Sequence, residues 1–455
     1  MTEEHSPQRA AKRLVICCDG TWNAPDNANI TNIEKIARSI ETNAANSGGV
    51  QQLVEYVQGV GVGYKTDRLL GGAFGFGLFN NVRTAYRFLA LNYEVGDEIF
   101  IFGFSRGAYT ARSLAGMVGY VGLLTGDALV RGQLRRALDL YKNRDTAQDT
   151  ASKAELKRFH EENCHDVTPI TFIGVFDTVG ALGVPGSVLF PEHQFHDIDL
   201  GNHVLCARHA VAIDERRMTF APCLWTVPAD QNGTVTFRSG TPTEQTVDRV
   251  KQVWFEGVHS DVGGGYPENG LSCTTLLWMA DEAKAAGLVF DEHRLGFYVD
   301  RAKKPVRNNS LTFWFRIVNI RERMRPRRGV DRRAFVNGLR SLEPPVVPLK
   351  DHPERTMVLP GRVSSTAWTA FDDAAEAYRP ANLAAFITGH TPPKIGETSE
   401  SVILLPREVV AAPSSSDGSP DAVDDSAGPP EGSSAEVAVP QPRVGDPESD
   451  VAYRR

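Results

Sequence analysis

Apolar residues along the chain fall into two kinds of run. Short unbroken runs occur in RLVICCDGTWN (13–23), QLVEYVQGVG (52–61), DEIFIFGF (97–104), PITFIGVFDTVG (169–180) and RVKQVWFEGV (249–258). Their length and continuity are those of strands covered on both faces. Between them, NVRTAYRFLALNY (81–93), RGAYTARSLAGMVGYVGLL (106–124), LVRGQLRRALDLYKN (129–143), ASKAELKRFHEEN (151–163) and CTTLLWMADEAKAAG (273–287) carry apolar residues at helical spacing. Strands that alternate with helices predict an α/β fold, a mostly parallel sheet with helices on both faces.

The pattern thins in three places. GGAFGFG (71–77) lacks the Gly-Lys-Ser/Thr ending of a phosphate loop and reads as a flexible loop near the site. About 80 residues separate the strand ending near Asp177 from His259, with few strand signals. They predict an insertion over 180–250 that shapes a substrate pocket or lid. The segment 405–455 is rich in Pro, Ser, Gly and acid and nearly free of aromatics, so it should be a disordered tail following a catalytic domain over 12–395.

Composition narrows the class. The 455 residues are 41% hydrophobic and 23% charged, as in a soluble globular protein, with net charge −7. That balance offers no global field for nucleic acid. Six cysteines without CxxC spacing favour reduced thiols over a disulfide framework. No apolar stretch reaches the roughly 18 residues that span a bilayer, and the N-terminus has no secretory signal pattern. The expected location is the cytoplasm, or outside the cell by a route without an ordinary signal peptide. Oligomeric state is not constrained by the sequence.

Candidate chemistry collects where the strands end, the edge at which parallel sheets bind ligands. Ser105 stands in Gly-x-Ser-x-Gly, directly after a strand and before a helix, the setting of a nucleophile elbow. Gly103 and Gly107 fit a turn too tight for Cβ atoms, and the Arg106 N–H begins the helix where an oxyanion would form. A serine needs a base, and the base an orienting acid. Asp177 ends the fourth strand and is the candidate acid; His259 follows the fifth strand in a Gly-rich loop and is the candidate base. Asp261 is a rival acid that its position suits better to shaping that loop. Asp19 ends the first strand and supports a loop whose Gly20 or Thr21 N–H supplies a second oxyanion donor. The alternatives for Ser105 and Asp177 are a helix cap and an Asx turn. A different grouping takes Asp19, Asp177, Asp261 and His259 as ligands of a metal-dependent phosphoesterase, although their spacing is not specific for a metal. No cofactor is expected.

CCDGTWN, GFSRGAYTAR, GVFDTVGALG, AIDERRMTFAPCLW (212–225), EGVHSDVGGGYPENGLS and YRPANL (378–383) follow one another through the chain. In this order they resemble the blocks of the catalytic domain of type VI secretion lipase effectors, family one, over roughly residues 12–390. The resemblance implies an α/β-hydrolase fold and phospholipase A-type hydrolysis by a Ser–Asp–His triad, which maps onto Ser105, Asp177 and His259. An added membrane-targeting or secretion-adaptor domain is not evident. The arginines of FRIVNIRERMRPRRGVDRR (315–333) suit either a solvated surface or contact with anionic lipid.

Overall fold

A computed structural model describes residues 11–21, 23–61, 71–144, 149–179, 200–237, 245–324, 334–336, 338–343, 357–358, 361–373, 375, 377–389 and 399–400. The chain divides into two compact units, Met1–Arg407 and Glu408–Arg455, and all described residues belong to the first. The predicted tail, residues 180–199 and 238–244 of the predicted insertion, and 325–333 of the arginine-rich segment lie outside the described residues.

The core is an eight-stranded sheet. Its strands are β1 (Lys12–Cys18), β2 (Gln51–Val57), β3 (Glu98–Phe104), β4 (Ile170–Phe176), β5 (Val204–Ala212), β6 (Val250–Phe255), β7 (Gly361–Ser364) and β8 (Ser399–Glu400). They lie in the order β8-β7-β6-β5-β4-β3-β1-β2, and every neighbouring pair is parallel. Side chains alternate across a strand, and both faces are covered. In β1, Leu14, Ile16 and Cys18 join one core, while Val15 and Cys17 join the other. β3 divides in the same way between Ile99 and Ile101 and the phenylalanines 100, 102 and 104.

Helices α1 (Asn32–Ser39), α2 (Gly71–Asn92), α3 (Arg106–Val121), α4 (Gly126–Val130), α5 (Leu134–Lys142) and α6 (Thr150–Asn163) precede the histidine strand. After it come α7 (His259–Gly263), α8 (Gly270–Ala285), α9 (Glu292–Asp300) and α10 (Phe313–Met324). Helices α2, α3, α5 and α6 pack on the Leu14 face; α1, α8 and α9 pack on the Val15 face. Among the described residues no helix is long and apolar enough to cross a membrane.

Four sequence expectations change. The stretch 71–77 is the start of α2 rather than a loop. Glycine is about 1 kcal/mol worse than alanine in a helix interior, but that preference yields to packing context, and Gly77 packs against Val60. The helix expected over 129–143 is broken between α4 and α5, where Gly132 takes φ 80°. The region 180–250 contains β5, a central strand and not merely part of an insertion. The sheet also reaches Ser399–Glu400, past the boundary expected at 395.

β5 was hidden by Arg208 and His209, which interrupt its apolar run yet are wholly buried. Arg208 pairs with Glu282 of α8 and donates from Nη1 to the carbonyls of Ala207 and Asp248, both at 2.9 Å. His209 Nε2 accepts from the Thr178 N–H at 3.1 Å, and burial pulls its pKa down to about 3.

Candidate active site

Register brings the strand ends together. Cys18 pairs with Gly103, Phe104 with Phe176, and Ala212 with Phe255. The residues that follow β1, β3, β4 and β6 therefore leave the sheet at one edge, which carries Asp19, Ser105, Asp177 and His259.

Ser105 has φ 57° and ψ −120°, a conformation an L-residue adopts only under constraint. Its N–H donates to the Phe176 carbonyl at 3.0 Å, anchoring the turn to β4. Although Ser105 occupies the N-cap of α3, its side chain makes no capping hydrogen bond. Its hydroxyl instead lies 2.8 Å from His259 Nε2. The flanking glycines have a steric reason. A Cβ on Gly107 would lie 2.2 Å from the Cys18 carbonyl oxygen, and one on Gly103 would lie 2.6 Å from Ala108 Cα. Gly107→Ala should therefore destabilise the fold by about 2 kcal/mol or more, because backbone on both sides must move. Thermal or denaturant unfolding measures the loss; an unchanged melting temperature would mean the elbow is looser than this geometry.

His259 Nδ1 lies 2.5 Å from Asp177 Oδ2. His259 opens the short helix α7 rather than lying in a loop, and Gly263 and Gly264 after it pack against protein. A Cβ on Gly263 would lie 2.0 Å from the Phe104 ring, itself 4.7 Å centroid to centroid from the imidazole. Phe220 meets the same imidazole edge-on at 5.0 Å.

Asp177 is completely buried, with φ 39°. Its Oδ1 accepts from the Ala212 N–H at 2.9 Å, and Arg340 spans both oxygens at 2.6 and 3.0 Å. Burial alone would raise the carboxyl pKa. The Arg340 guanidinium and the His259 hydrogen bond overcome it and hold Asp177 well below the usual carboxylate range.

Burial lowers the His259 pKa below its ordinary 6.5, with Asp177 opposing. A general base must be neutral, so chemistry that used His259 as its base would be lost only as pH falls through this lowered value. Ester hydrolysis should be on its plateau at pH 7 with an acidic limb below pH 6.5. The unfolded chain protonates first, so the group's contribution to stability is also present above pH 6.5 and declines below it. A pH–rate profile on a soluble ester with its acidic midpoint above 6.5 would contradict this environment.

The other candidates have structural partners. Asp19 accepts from the Gly20 N–H at 2.6 Å, Thr31 Oγ1 at 2.6 Å and Tyr56 Oη at 2.7 Å. Burial raises its pKa to about 6. The Gly20 N–H is thus spent on Asp19, which removes it from the expected oxyanion donors and leaves Thr21 and Arg106. Asp261 accepts from the Val258 N–H at 2.9 Å and from Asn308 Nδ2 at 2.7 Å, so it shapes the histidine turn. The four groups of the metal reading do not converge. Asp177 is neutralised by an arginine, and among the described residues no cluster of three or more His, Cys, Asp or Glu could hold a metal.

Three residues of this site carried no role in the sequence reading. Glu215 follows β5 at the same edge and is wholly buried. Its Oε2 accepts from the His259 N–H at 3.3 Å and from Arg217 Nη2 at 2.8 Å, while its Oε1 accepts from Arg217 Nε at 2.8 Å. Burial would raise its pKa, but Arg217 brings it down to about 2. The block AIDERRMTFAPCLW contained both residues without revealing what they do. Arg340 lies in a short hairpin with no sequence pattern, and only the fold reveals its contact.

Residues 12–282 match the family model described as T6SS, phospholipase effector Tle1-like, catalytic domain. An uncharacterized protein of Saccharomyces cerevisiae is 33% identical over 241 residues, 49% of this chain and 34% of the yeast protein. An uncharacterized protein from Pseudomonas aeruginosa aligns at 17% identity and TM-score 0.34, over 65% of this chain and 48% of that one. The Tle1 effector bound to the VgrG spike of the type 6 secretion system aligns at 18% identity and TM-score 0.28, over 58% and 53% of the two chains. The chain thus spans about a third of the yeast relative and about half of each solved structure.

Proposed function

The chain belongs to the family of type VI secretion Tle1-like phospholipase effector catalytic domains, and on that premise we propose that it is a serine hydrolase of glycerophospholipid carboxylic esters. The observation that carries this reading is the hydrogen-bonded series Ser105–His259–Asp177 at the strand ends.

Ser105 Oγ attacks the ester carbonyl while His259 Nε2 takes its proton. The oxyanion is stabilised by the N–H groups of Arg106 and Thr21. As the tetrahedral intermediate collapses, His259 returns the proton to the leaving lysophospholipid oxygen. Water, deprotonated by the same imidazole, then releases the fatty acid and restores Ser105. Asp177 holds the imidazole in the tautomer with its proton on Nδ1 and stabilises the transient cation. Arg340 holds Asp177 ionised. The catalytic unit runs from β1 through β8.

Contact with the lipid surface is assigned to α10, within the segment 315–333. Arg316, Ile317, Ile320 and Arg321 are exposed on this helix. Asn319 fastens its other side, accepting from the Met218 N–H at 3.0 Å and donating to the Arg216 carbonyl at 2.8 Å. Phe315 reaches Phe220. Apolar residues between arginines suit an anionic interface.

The test compares fatty-acid release from phosphatidylglycerol vesicles with hydrolysis of p-nitrophenyl butyrate across salt concentrations. Vesicle hydrolysis should be preferred and should fall as salt rises, because surface charge is screened within about 10 Å at 0.1 M. Rapid turnover of the soluble ester with no release from vesicles would reject the phospholipase and leave an esterase.

A further inference from the structure

Arg217 stands beside the imidazole with one edge of its guanidinium immobilised. Nε and Nη2 donate to the two Glu215 oxygens, each at 2.8 Å, and the guanidinium stacks 3.6 Å over the Phe220 ring. That ring lies 5.0 Å from the imidazole of His259. The guanidinium is also 5.1 Å from the Phe315 ring, which meets the Phe220 ring edge-on at 6.1 Å. Glu215 is thereby fully engaged as a clamp: it also accepts the His259 N–H and Ser310 Oγ. The remaining nitrogen, Nη1, makes no hydrogen bond to a described residue. A guanidinium fixed along one edge beside two aromatic rings, with Nη1 left without a hydrogen bond to a described residue, is preorganised to receive an anion.

Arg106 follows the nucleophile directly, and its guanidinium lies close enough to Arg217 for the two to repel; burial and this repulsion pull the Arg106 pKa down to about 10. Arg217 also disfavours protonation of His259. A cation beside a base that must become a cation opposes catalysis, and Glu215, paired with Arg217, acts the other way. A second anion seated against Arg217 would add to the stabilisation of the imidazolium.

We propose that Arg217 binds the phosphodiester of a glycerophospholipid while its acyl ester lies at Ser105. This rests on the serine-hydrolase reading and goes beyond it by naming the group that selects phospholipid over neutral glyceride. Glu215 is a positioning residue that holds Arg217 in place.

The experiment uses two monomeric substrates differing in the phosphate, dihexanoyl phosphatidylcholine and dihexanoylglycerol, so that surface binding plays no part. Their ratio of kcat/KM is measured for wild type, Arg217→Gln and Arg217→Lys. The expected result is a fall in the ratio of about 10-fold or more in Arg217→Gln, mainly through KM, as for loss of a charge-assisted hydrogen bond. Arg217→Lys should recover it only partly, since lysine lacks the planar fork. A ratio within twofold of wild type, even with both activities reduced, would overturn the proposal and leave Arg217 a structural role.

A second measurement needs only the wild type: sn-glycerol 3-phosphate should inhibit p-nitrophenyl butyrate hydrolysis competitively, and glycerol should not. Equal weakness of the two would also overturn it. If Ser105→Ala hydrolyses both diesters normally, the hydrolase reading itself has failed; if Ser105→Ala is inert and the ratio is unmoved, only the phosphate site has.

Discussion

Ser105→Ala is expected to lower kcat for ester hydrolysis by about 10⁶-fold, the scale seen when the nucleophile of a serine triad is removed. The Ser105 hydroxyl is directed at His259 and makes no capping bond with α3, so its loss removes covalent catalysis without removing a helix cap. Alanine meets the same strain at φ 57° as serine does. The fold should therefore survive with a stability change within about 1 kcal/mol. Steady-state kinetics on p-nitrophenyl butyrate, with a thermal melt on the same sample, read both quantities. A folded variant that retains a tenth of wild-type kcat would remove Ser105 from the chemistry.

Asp177→Asn should reduce kcat by about 10⁴-fold, because an amide offers no fixed carboxylate to hold the imidazole tautomer and its transient charge. A second effect comes from Arg340, which is wholly buried against the Asp177 carboxylate. Neutralising Asp177 leaves that guanidinium without its counter-charge, and breaking a buried pair from one side costs about 3–5 kcal/mol. Asp177→Asn should thus be both inactive and less stable. Replacing both partners, as in Asp177→Asn with Arg340→Met, should restore much of the stability, since no unpaired buried charge remains, and none of the activity. Recovery of activity in the double variant would mean Asp177 acts only on the fold.

The sequence made Asp19, Ser105, Asp177 and His259 visible for one physical reason. Parallel strands covered on both faces are continuous apolar runs, so a polar residue that ends such a run stands out. The same reasoning failed on β5, whose Arg208 and His209 look like interruptions until Glu282 and Thr178 are placed beside them. Missing β5 also meant missing Glu215, which follows it. Arg340 could not be read at all, because its role depends on a contact 163 residues away in sequence. Gly20 and Thr21 stood as alternative donors, because chain position alone does not show that the Asp19 carboxylate takes the Gly20 N–H. At 71–77, local preference pointed to a loop where the chain forms the first turns of α2.

Ser105 is expected to be the residue that becomes covalently acylated. A fluorophosphonate probe reacts at an activated serine and stays there, so peptide mass mapping of the labelled full-length protein identifies the nucleophile directly. The predicted result is one adduct, on the peptide carrying Ser105, formed in step with loss of ester hydrolysis and strongly slowed in His259→Ala. Inactivation accompanied by an adduct on any other residue, or full labelling of Ser105 with hydrolysis undiminished, would contradict it.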